Sequence, residues 1–154
     1  MEVKQTEDGF FVSMVSTPYR DPYHLPPDDI DKLFKSHLVN VMAWGIIEDG
    51  KLVAAVETAV EELSNRLRIS IIWVDEAYRR QGIGTALLDI AMQRALSEKR
   101  RVLMLETQSY NSGAIAFYLR YGFSLIGFDS CAYHNNDLER KEVRMELGII
   151  LEYS

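Results

Sequence analysis

The sequence predicts an α/β fold of the α+β kind, with helices packed on a mixed β-sheet. An apolar, β-rich run over residues 66–74 ends in a short polar turn, and apolar residues then recur at helical spacing over 85–100. A second strand pattern at 102–106 is followed by a second helical segment that starts at Asn111. Further strand patterns precede and follow this strand–helix–strand–helix core, so one layered domain with a mixed sheet is expected.

The elements before the core are predicted to be a strand, a proline-rich loop, a short helix and a hairpin. Asp28 or Asp29 can cap the helix, since aspartate accepts hydrogen bonds from first-turn N–H groups. Asp49-Gly50 is a strong signal for a tight hairpin turn. The predicted ranges are 10–15 for the strand, 19–27 for the loop, 28–38 for the helix, and 43–48 and 51–62 for the hairpin strands.

The elements after the core are predicted to be two strands, over 123–128 and 141–151. A polar segment through Asn135, Asn136 and Asp137 joins them. No repeat or linker interrupts the chain, so its 154 residues are expected to form one domain.

Composition excludes several classes of protein. With 47% hydrophobic and 26% charged residues, the chain is expected to be globular, and no apolar run approaches the ~20 residues of a membrane helix. Cys131 is the only cysteine, so no intrachain disulfide can form, and a cytoplasmic location is expected. His24, His37 and His134 lie far apart without metal-ligand spacing, so no metal is expected.

The turn between the first core strand and its helix has the features of a phosphate-binding loop. Gly82 and Gly84 allow the backbone to approach a ligand that a Cβ would keep away. The first turn of the helix offers unpaired N–H groups, and Arg79 and Arg80 add positive charge. A dinucleotide fingerprint and a P-loop are both excluded, because Leu87 replaces the third glycine and no lysine follows Gly84.

Two motifs resemble the GNAT superfamily of N-acetyltransferases. Arg79-x-x-Gly82-x-Gly84 is similar to its acetyl-CoA pyrophosphate loop, Arg/Gln-x-x-Gly-x-Gly/Ala. The pattern Asn-x-x-Ala-x-x-Phe-Tyr-x-x-x-Gly-Phe over residues 111–123 resembles the helix that closes the CoA site. In that helix Asn111 is placed as the N-cap and Gly122 as the terminating residue. The two motifs together cover roughly residues 66–128.

This resemblance implies a GNAT-like mixed, mostly antiparallel central sheet flanked by helices on both faces. It divides the single domain 1–154 into acceptor-side elements (1–62), the acetyl-CoA-binding core (66–128) and C-terminal strands (129–154). Acetyl-CoA is the implied cosubstrate, without a metal. The residues expected to bind it are Ile72, Trp73, Val74, Arg79, Arg80, Gln81, Gly82, Ile83, Gly84, Thr85, Asn111, Ala114, Phe117 and Tyr118.

The resemblance also suggests catalytic roles. Tyr118 occupies the position of the tyrosine that reprotonates the departing thiolate, although it can also be a packed aromatic. Relatives often place a glutamate base near the position of Ser70, and serine cannot serve as that base unaided. Glu57 is the nearest candidate to replace it, as the base or as a contact to the amine. The alternative is that Glu57 is an ordinary solvated glutamate on a strand. Glu106 with a water chain is a further option.

A narrower resemblance is to streptothricin acetyltransferases. It rests on the segment 105–111, on Phe117-Tyr118, on Gly127 to Asp129, and on Tyr133, with Pro18-Tyr19-Arg20 near the start and the glutamate at Glu57. These relatives acetylate a cationic antibiotic, which implies substrate contacts from Tyr19, Glu57 and Glu106.

The charge distribution is compatible with a cationic acceptor. Residues 1–62 hold 12 acidic and 5 basic side chains (net −7), and residues 63–154 hold 11 and 12 (net +1). An acidic pocket attracts an amine and disfavours nucleic acid, but an ordinary acidic surface gives the same counts.

Three functions therefore remain open from the sequence. The first is N-acetylation of a small cationic amine, streptothricin-like or polyamine-like, by direct attack in a ternary complex. The second is acetylation of a protein or peptide, and the third is a non-catalytic acyl-CoA sensor. No membrane partner is expected, and the resemblance suggests a homodimer.

Overall fold

The computed structural model describes residues 2–15, 33–133 and 135–152. The predicted loop 19–27, with Tyr19, lies outside these ranges, as do residues 28–32 of the predicted helix and His134. The described residues form eight strands and three α-helices. The strands are β1 (Glu2–Thr6), β2 (Gly9–Ser13), β3 (Val39–Glu48), β4 (Lys51–Glu61), β5 (Arg66–Val74), β6 (Val102–Gln108), β7 (Ser124–Asp129) and β8 (Arg144–Ile150), and the helices are α1 (Ile83–Ser97), α2 (Ser112–Tyr121) and α3 (Asp137–Arg140).

Six strands form the central sheet in the order β3-β4-β5-β6-β8-β7, and β1 and β2 form a separate antiparallel pair. All neighbours in the central sheet are antiparallel except β5 and β6. A parallel pair needs a crossover connection, and α1 supplies it between these two strands. The predicted mixed, mostly antiparallel sheet is therefore confirmed.

The parallel pair separates halfway along its length. Its last paired residues are Ile69 and Leu105, whereas β5 continues to Val74 and β6 continues to Gln108. Beyond Ile69 the backbone of β5 pairs only with β4, on its other side. A wedge therefore opens in the sheet, and the candidate site is built around it.

Helix α1 packs on the sheet through a stripe of buried apolar side chains. Leu87, Leu88, Ala91 and Ala95 are all at most 3% exposed, at the spacing of one helical face. The helix contacts β4, β5 and β6. Burial of each leucine contributes about 1.5–3 kcal/mol, so this stripe fixes the start of α1 at the wedge.

Arg94 is a charged residue within this packed helix. Its side chain donates to the Thr58 carbonyl (3.1 Å), the Thr58 hydroxyl (2.7 Å) and the Asn40 carbonyl (2.7 Å). It also forms an i,i+4 ion pair of 2.7 Å with Glu98. A buried guanidinium is tolerated when its donors are satisfied, and these bonds tie α1 to β3 and β4.

Several sequence predictions differ from the structure at the chain ends. The strand predicted at 10–15 is the second arm of a hairpin, and β1 was missed because Glu2–Thr6 contains a single apolar residue. Residues 33–38 form bends and turns, so a helix reaching residue 38 is wrong; the Leu38 N–H instead bonds the Lys35 carbonyl. The polar segment after β7 contains the short helix α3, which the sequence pattern did not reveal.

Candidate active site

The loop before α1 adopts a conformation that favours glycine. Gly82, the N-cap of α1, has φ +82°, and Arg80 two residues earlier has φ +62°. A Cβ built on Gly82 would meet nothing within 4 Å, so the space in front of it is open. The first intrahelical bond runs from the Ala86 N–H to the Gly82 carbonyl. The preceding N–H groups point out of the helix end, as anion-binding helix termini require.

The arginine beside this loop has a defined position. Arg79 Nε donates to the Val74 carbonyl at 3.0 Å, which attaches the loop to the last residue of β5. The Asp75 carboxylate caps the intervening 3₁₀ turn by accepting from the Ala77 N–H at 3.0 Å. The guanidinium of Arg79 is therefore held next to the helix end, where its charge adds to the helix dipole.

A groove of about 920 Å³ runs from this loop between β5 and α2. It has the dimensions of a cofactor site and combines apolar strand residues with the loop's donors. Its lining residues are Ile72, Trp73, Val74, Arg79, Arg80, Gly82, Gly84, Thr85, Asn111, Gly113, Ala114, Phe117, Tyr118, Arg120 and Tyr121.

Helix α2 is placed at this groove by its own caps and by a close contact with α1. The Asn111 side chain accepts from the Ala114 N–H at 3.3 Å, and Gly122 ends the helix with φ +120°. A Cβ on Gly84 would lie 3.1 Å from Phe117 Cζ. Gly84 is therefore required for Phe117 to approach the first turn of α1.

Tyr118 lies at the inner wall of the groove. Its side chain is 8% exposed, and its ring packs against Phe117 (centroids 5.4 Å apart) and Phe123 (5.8 Å). Burial raises the pKa of Tyr118 to about 12. Its hydroxyl makes no hydrogen bond to the described residues. At neutral pH it is therefore a protonated donor available to a ligand in the groove.

A second cavity, of about 510 Å³, borders the same strand. Ser70 and Ile71 of β5 line this cavity, and the next three residues of β5 line the groove, so the two spaces border consecutive parts of β5. Its lining residues are Lys35, His37, Leu38, Val39, Glu57, Ala59, Val60, Glu61, Arg68, Ile69, Ser70, Ile71 and Glu106.

Glu57 lines this cavity, although the residue is 0% exposed. The Ser70 hydroxyl donates to Glu57 Oε1 at 2.5 Å, and the Phe34 N–H donates to Oε2 at 2.5 Å. A β-bulge explains the first contact. Glu57 pairs with Ile71 and Thr58 with Ile69, which leaves Ser70 unpaired between them and turned towards the carboxylate.

The remaining charges of the cavity form an ion-pair network around Arg68. The Arg68 guanidinium contacts Glu61 Oε1 through Nε (2.6 Å) and Nη2 (2.5 Å), and Glu106 Oε1 through Nη1 (2.6 Å). Burial alone would lower the pKa of Arg68, but the hydrogen bonds and charges of Glu106 and Glu61 raise it. Burial would likewise raise the pKa of Glu61, but Arg68 and Arg66 hold it below its ordinary value.

Comparison with known proteins identifies the family to which this chain belongs. Residues 10–123 match the Acetyltransferase (GNAT) family. The chain belongs to the GNAT family. A streptothricin acetyltransferase of Escherichia coli is 29% identical over 94% of this chain and 78% of its own length. The [ribosomal protein bS18]-alanine N-acetyltransferase of Escherichia coli K12 is 33% identical over 68% of this chain and 69% of its own. Among solved structures, a nourseothricin acetyltransferase superposes with a TM-score of 0.72 and 25% identity, covering 98% of this chain and 83% of that one.

Membership in the GNAT family makes the protein an acetyltransferase with acetyl-CoA as cosubstrate, which one solved neighbour of this fold contains. The groove fits that molecule. Two glycines, two arginines and the open first turn of α1 suit its phosphates, and the apolar strand face suits its pantetheine arm. The resemblances to the GNAT family and to streptothricin acetyltransferases are both confirmed.

Most of the residues predicted to bind the cofactor line the groove between β5 and α2. Gln81 and Ile83 do not line it; Ile83 packs against the hydrophobic core, and Gln81 donates to the Ala77 carbonyl at 3.3 Å. Sequence reasoning missed Gly113, Arg120 and Tyr121. Arg120 lies three positions after Phe117 and Tyr121 three after Tyr118, and this i,i+3 spacing on a helix could have indicated them.

The two predicted acceptor-side glutamates, Glu57 and Glu106, lie in the same cavity, whereas Tyr118 lies in the groove across β5. Among residues 2–15, 33–133 and 135–152, no group of three or more His, Cys, Asp or Glu side chains is placed to hold a metal ion. No helix in those ranges is both long and apolar enough to cross a bilayer.

Proposed function

We propose that this protein transfers the acetyl group of acetyl-CoA to the primary amine of a small cationic molecule, streptothricin-like or polyamine-like, by direct attack in a ternary complex. The observation that carries the proposal is the buried Glu57 in a cavity that borders the same strand, β5, as the acetyl-CoA groove. An amine that binds in the cavity would lie near this carboxylate, next to the part of β5 that lines the groove.

Glu57 is the proposed base or amine contact. An unperturbed alkylamine has a pKa of ~10 and must lose a proton before it can attack. The Ser70 hydroxyl and the Phe34 N–H fix both carboxylate oxygens, so Glu57 needs no reorganisation when the amine arrives. Ser70 on β5 donates a hydrogen bond to Glu57 on β4. The proposed base is therefore a carboxylate from the neighbouring strand, although β5 itself carries a serine at this position.

The groove supplies the two remaining functions. Beyond Ile69 the edge of β5 that faced β6 is unpaired, and N–H groups near Ile72–Val74 are the proposed donors to the thioester oxygen. Tyr118 is the proposed general acid for the departing thiolate. Its raised pKa keeps its proton in place at neutral pH until the thiolate forms.

The size of the cavity favours a small acceptor over a polypeptide. A volume of about 510 Å³ lies within the usual range for small-molecule sites. The similarity to a streptothricin acetyltransferase along 94% of this chain supports the same class. Similarity to a bS18-alanine N-acetyltransferase is the observation that favours a peptide acceptor instead. A cytosolic location and a homodimer remain predictions.

The first test is acetyl-CoA turnover, measured as free thiol release, against streptothricin, polyamines, aminoglycosides, lysine peptides and N-terminal peptides. Turnover on a small cationic amine is expected. Turnover on peptides alone would transfer the assignment to protein modification. Thermal stabilisation by acetyl-CoA without turnover on any amine would favour the non-catalytic sensor.

Two substitutions test the role of Glu57. Glu57→Gln keeps the side-chain shape, and kcat/KM is expected to fall about a hundredfold or more. Its pH–rate profile should move to higher pH, because the amine must then lose its proton to water alone. Ser70→Ala removes one of the two donors to the carboxylate, and kcat should fall about tenfold.

Ser124→Ala, at an exposed position of β7, is the matched control and should leave kcat unchanged. An unaltered pH–rate profile in Glu57→Gln would remove Glu57 from the mechanism.

A further inference from the structure

Among the described residues that line the cavity, the charges nearly cancel. Glu57, Glu61 and Glu106 contribute three carboxylates, and Lys35 and Arg68 contribute two cationic groups. The net charge of −7 on the first 62 residues is compatible with either an acidic pocket or an acidic surface. Within the described lining of the cavity, only one negative charge is left over. An acceptor therefore meets a nearly balanced site in which one ammonium restores neutrality.

Arg68 is the cationic group of the cavity that pairs with two of its carboxylates. All three of its guanidinium nitrogens are engaged, two on Glu61 and one on Glu106. Glu61 is neutralised a second time from outside the cavity, because Arg66 bonds its other oxygen at 2.6 Å. Glu57 has no cationic partner among the described residues, since its two hydrogen bonds come from a hydroxyl and an amide.

We propose that Arg68 is a specificity-determining residue, which restricts the acceptor to one positive charge within the cavity, the amine that becomes acetylated. A second ammonium on the same acceptor would lie against the Arg68 guanidinium or would have to displace it from Glu61 and Glu106. Such an acceptor fits only when its other cationic groups remain outside the cavity. The favoured acceptor class is an amine whose buried portion is otherwise neutral.

This inference rests on the proposed function and is tested with a matched pair of amines, pentylamine and cadaverine. The measured quantity is the ratio of kcat/KM for the diamine to that for the monoamine. Arg68→Gln should raise this ratio about tenfold, as expected for removing a unit charge several ångströms from the second ammonium. Added salt should reduce the increase, because it screens the same interaction. Arg68→Lys retains the charge and should retain the wild-type ratio.

Two further variants separate this role from a structural one. Arg66→Gln also removes a partner of Glu61, but Arg66 does not line the cavity, so the ratio should stay at the wild-type value. Glu61→Gln leaves Arg68 less compensated and should lower the ratio, which provides a test of opposite sign if Arg68→Gln fails to fold.

An unchanged ratio in both Arg68→Gln and Glu61→Gln would overturn the inference, as would an equal change in Arg66→Gln. Failure of the wild-type protein to acetylate any amine would overturn the proposed function and this inference with it. If the wild-type protein acetylates an amine but the ratio is unaltered in Arg68→Gln and Glu61→Gln, this inference alone is overturned and the proposed function stands.

Discussion

At the scale of single residues, the site depends on contacts between neighbouring strands. Ser70 occupies the position at which the family resemblance implies a glutamate, and its hydroxyl is 2.5 Å from the carboxylate of Glu57 on β4. The bulge opposite Glu57 and Thr58 turns the serine towards that carboxylate. A residue that alone cannot act as a base thus holds the carboxylate of the proposed base in place.

Replacing Tyr118 by phenylalanine should lower kcat about a hundredfold or more and leave acetyl-CoA binding nearly unchanged. The substitution removes the proton donor but retains the ring that packs against Phe117 and Phe123. Thiol release measures turnover, and calorimetric titration measures binding. Tyr110→Phe is the control, since Tyr110 lines neither the groove nor the cavity. Full turnover by Tyr118→Phe would show that another group protonates the thiolate.

At the scale of elements, the decisive contact is between the two helices that border the groove. Phe117 of α2 approaches the backbone of α1 at Gly84, whose missing side chain makes the space. Strand separation after Ile69 opens the sheet beside this contact, so helices and wedge together define the groove.

Substituting Gly84 by alanine should destabilise the protein by up to about 2 kcal/mol, because overpacking of the new methyl group against Phe117 (about 1–3 kcal/mol) outweighs the helix preference of alanine (about 0.5–1 kcal/mol). Gly113→Ala provides the contrast. A Cβ at Gly113 meets nothing within 4 Å, and alanine favours the helix by about 0.5–1 kcal/mol. Thermal melting without ligand should therefore show opposite shifts for the two variants. A Gly84→Ala protein as stable as wild type would mean that Phe117 moves aside at no cost.

At the scale of the whole molecule, two tyrosines with raised pKa values, the buried Tyr118 and the half-buried Tyr133, make the free energy of unfolding depend on pH under alkaline conditions. Burial raises the pKa of Tyr118 to about 12, and burial followed by the charge of Glu106 raises the pKa of Tyr133 to about 12. A group whose pKa is higher in the folded state stabilises the fold fully below its unfolded pKa of ~10. That stability is lost as the pH rises towards the folded value.

The free energy of unfolding should therefore be flat between pH 8 and 9.5 and fall above about pH 10. Each such tyrosine contributes a slope of about 1.4 kcal/mol per pH unit. The free energy of unfolding is measured by urea unfolding, followed by circular dichroism, at a series of pH values. Tyr118→Phe should have a shallower slope above pH 10, because it removes one titrating group. Parallel slopes for the two proteins would contradict the assigned burial effect.

Local chemistry alone determined the loop and both long helices. Gly82, Gly84 and the arginines before them predict a phosphate-binding turn because positive φ and helix-end N–H groups are properties of a few consecutive residues. Asn111 and Gly122 likewise mark the ends of α2 from short-range hydrogen bonding, and the structure agrees at both. The mixed sheet followed from the order of these elements.

Tertiary structure alone decided which charges meet. The facing of Glu57 depended on a bulge in its pairing with β5, and a shift of one residue would turn the side chain to the other face. The near-neutral cavity depended on Arg68, whose partners Glu61 and Glu106 lie 7 and 38 positions away along the chain. Such pairings are set by strand order and register, which involve residues far apart in sequence. Composition therefore could not distinguish an acidic pocket from an acidic surface, whereas the described residues lining the folded cavity leave a single uncompensated charge.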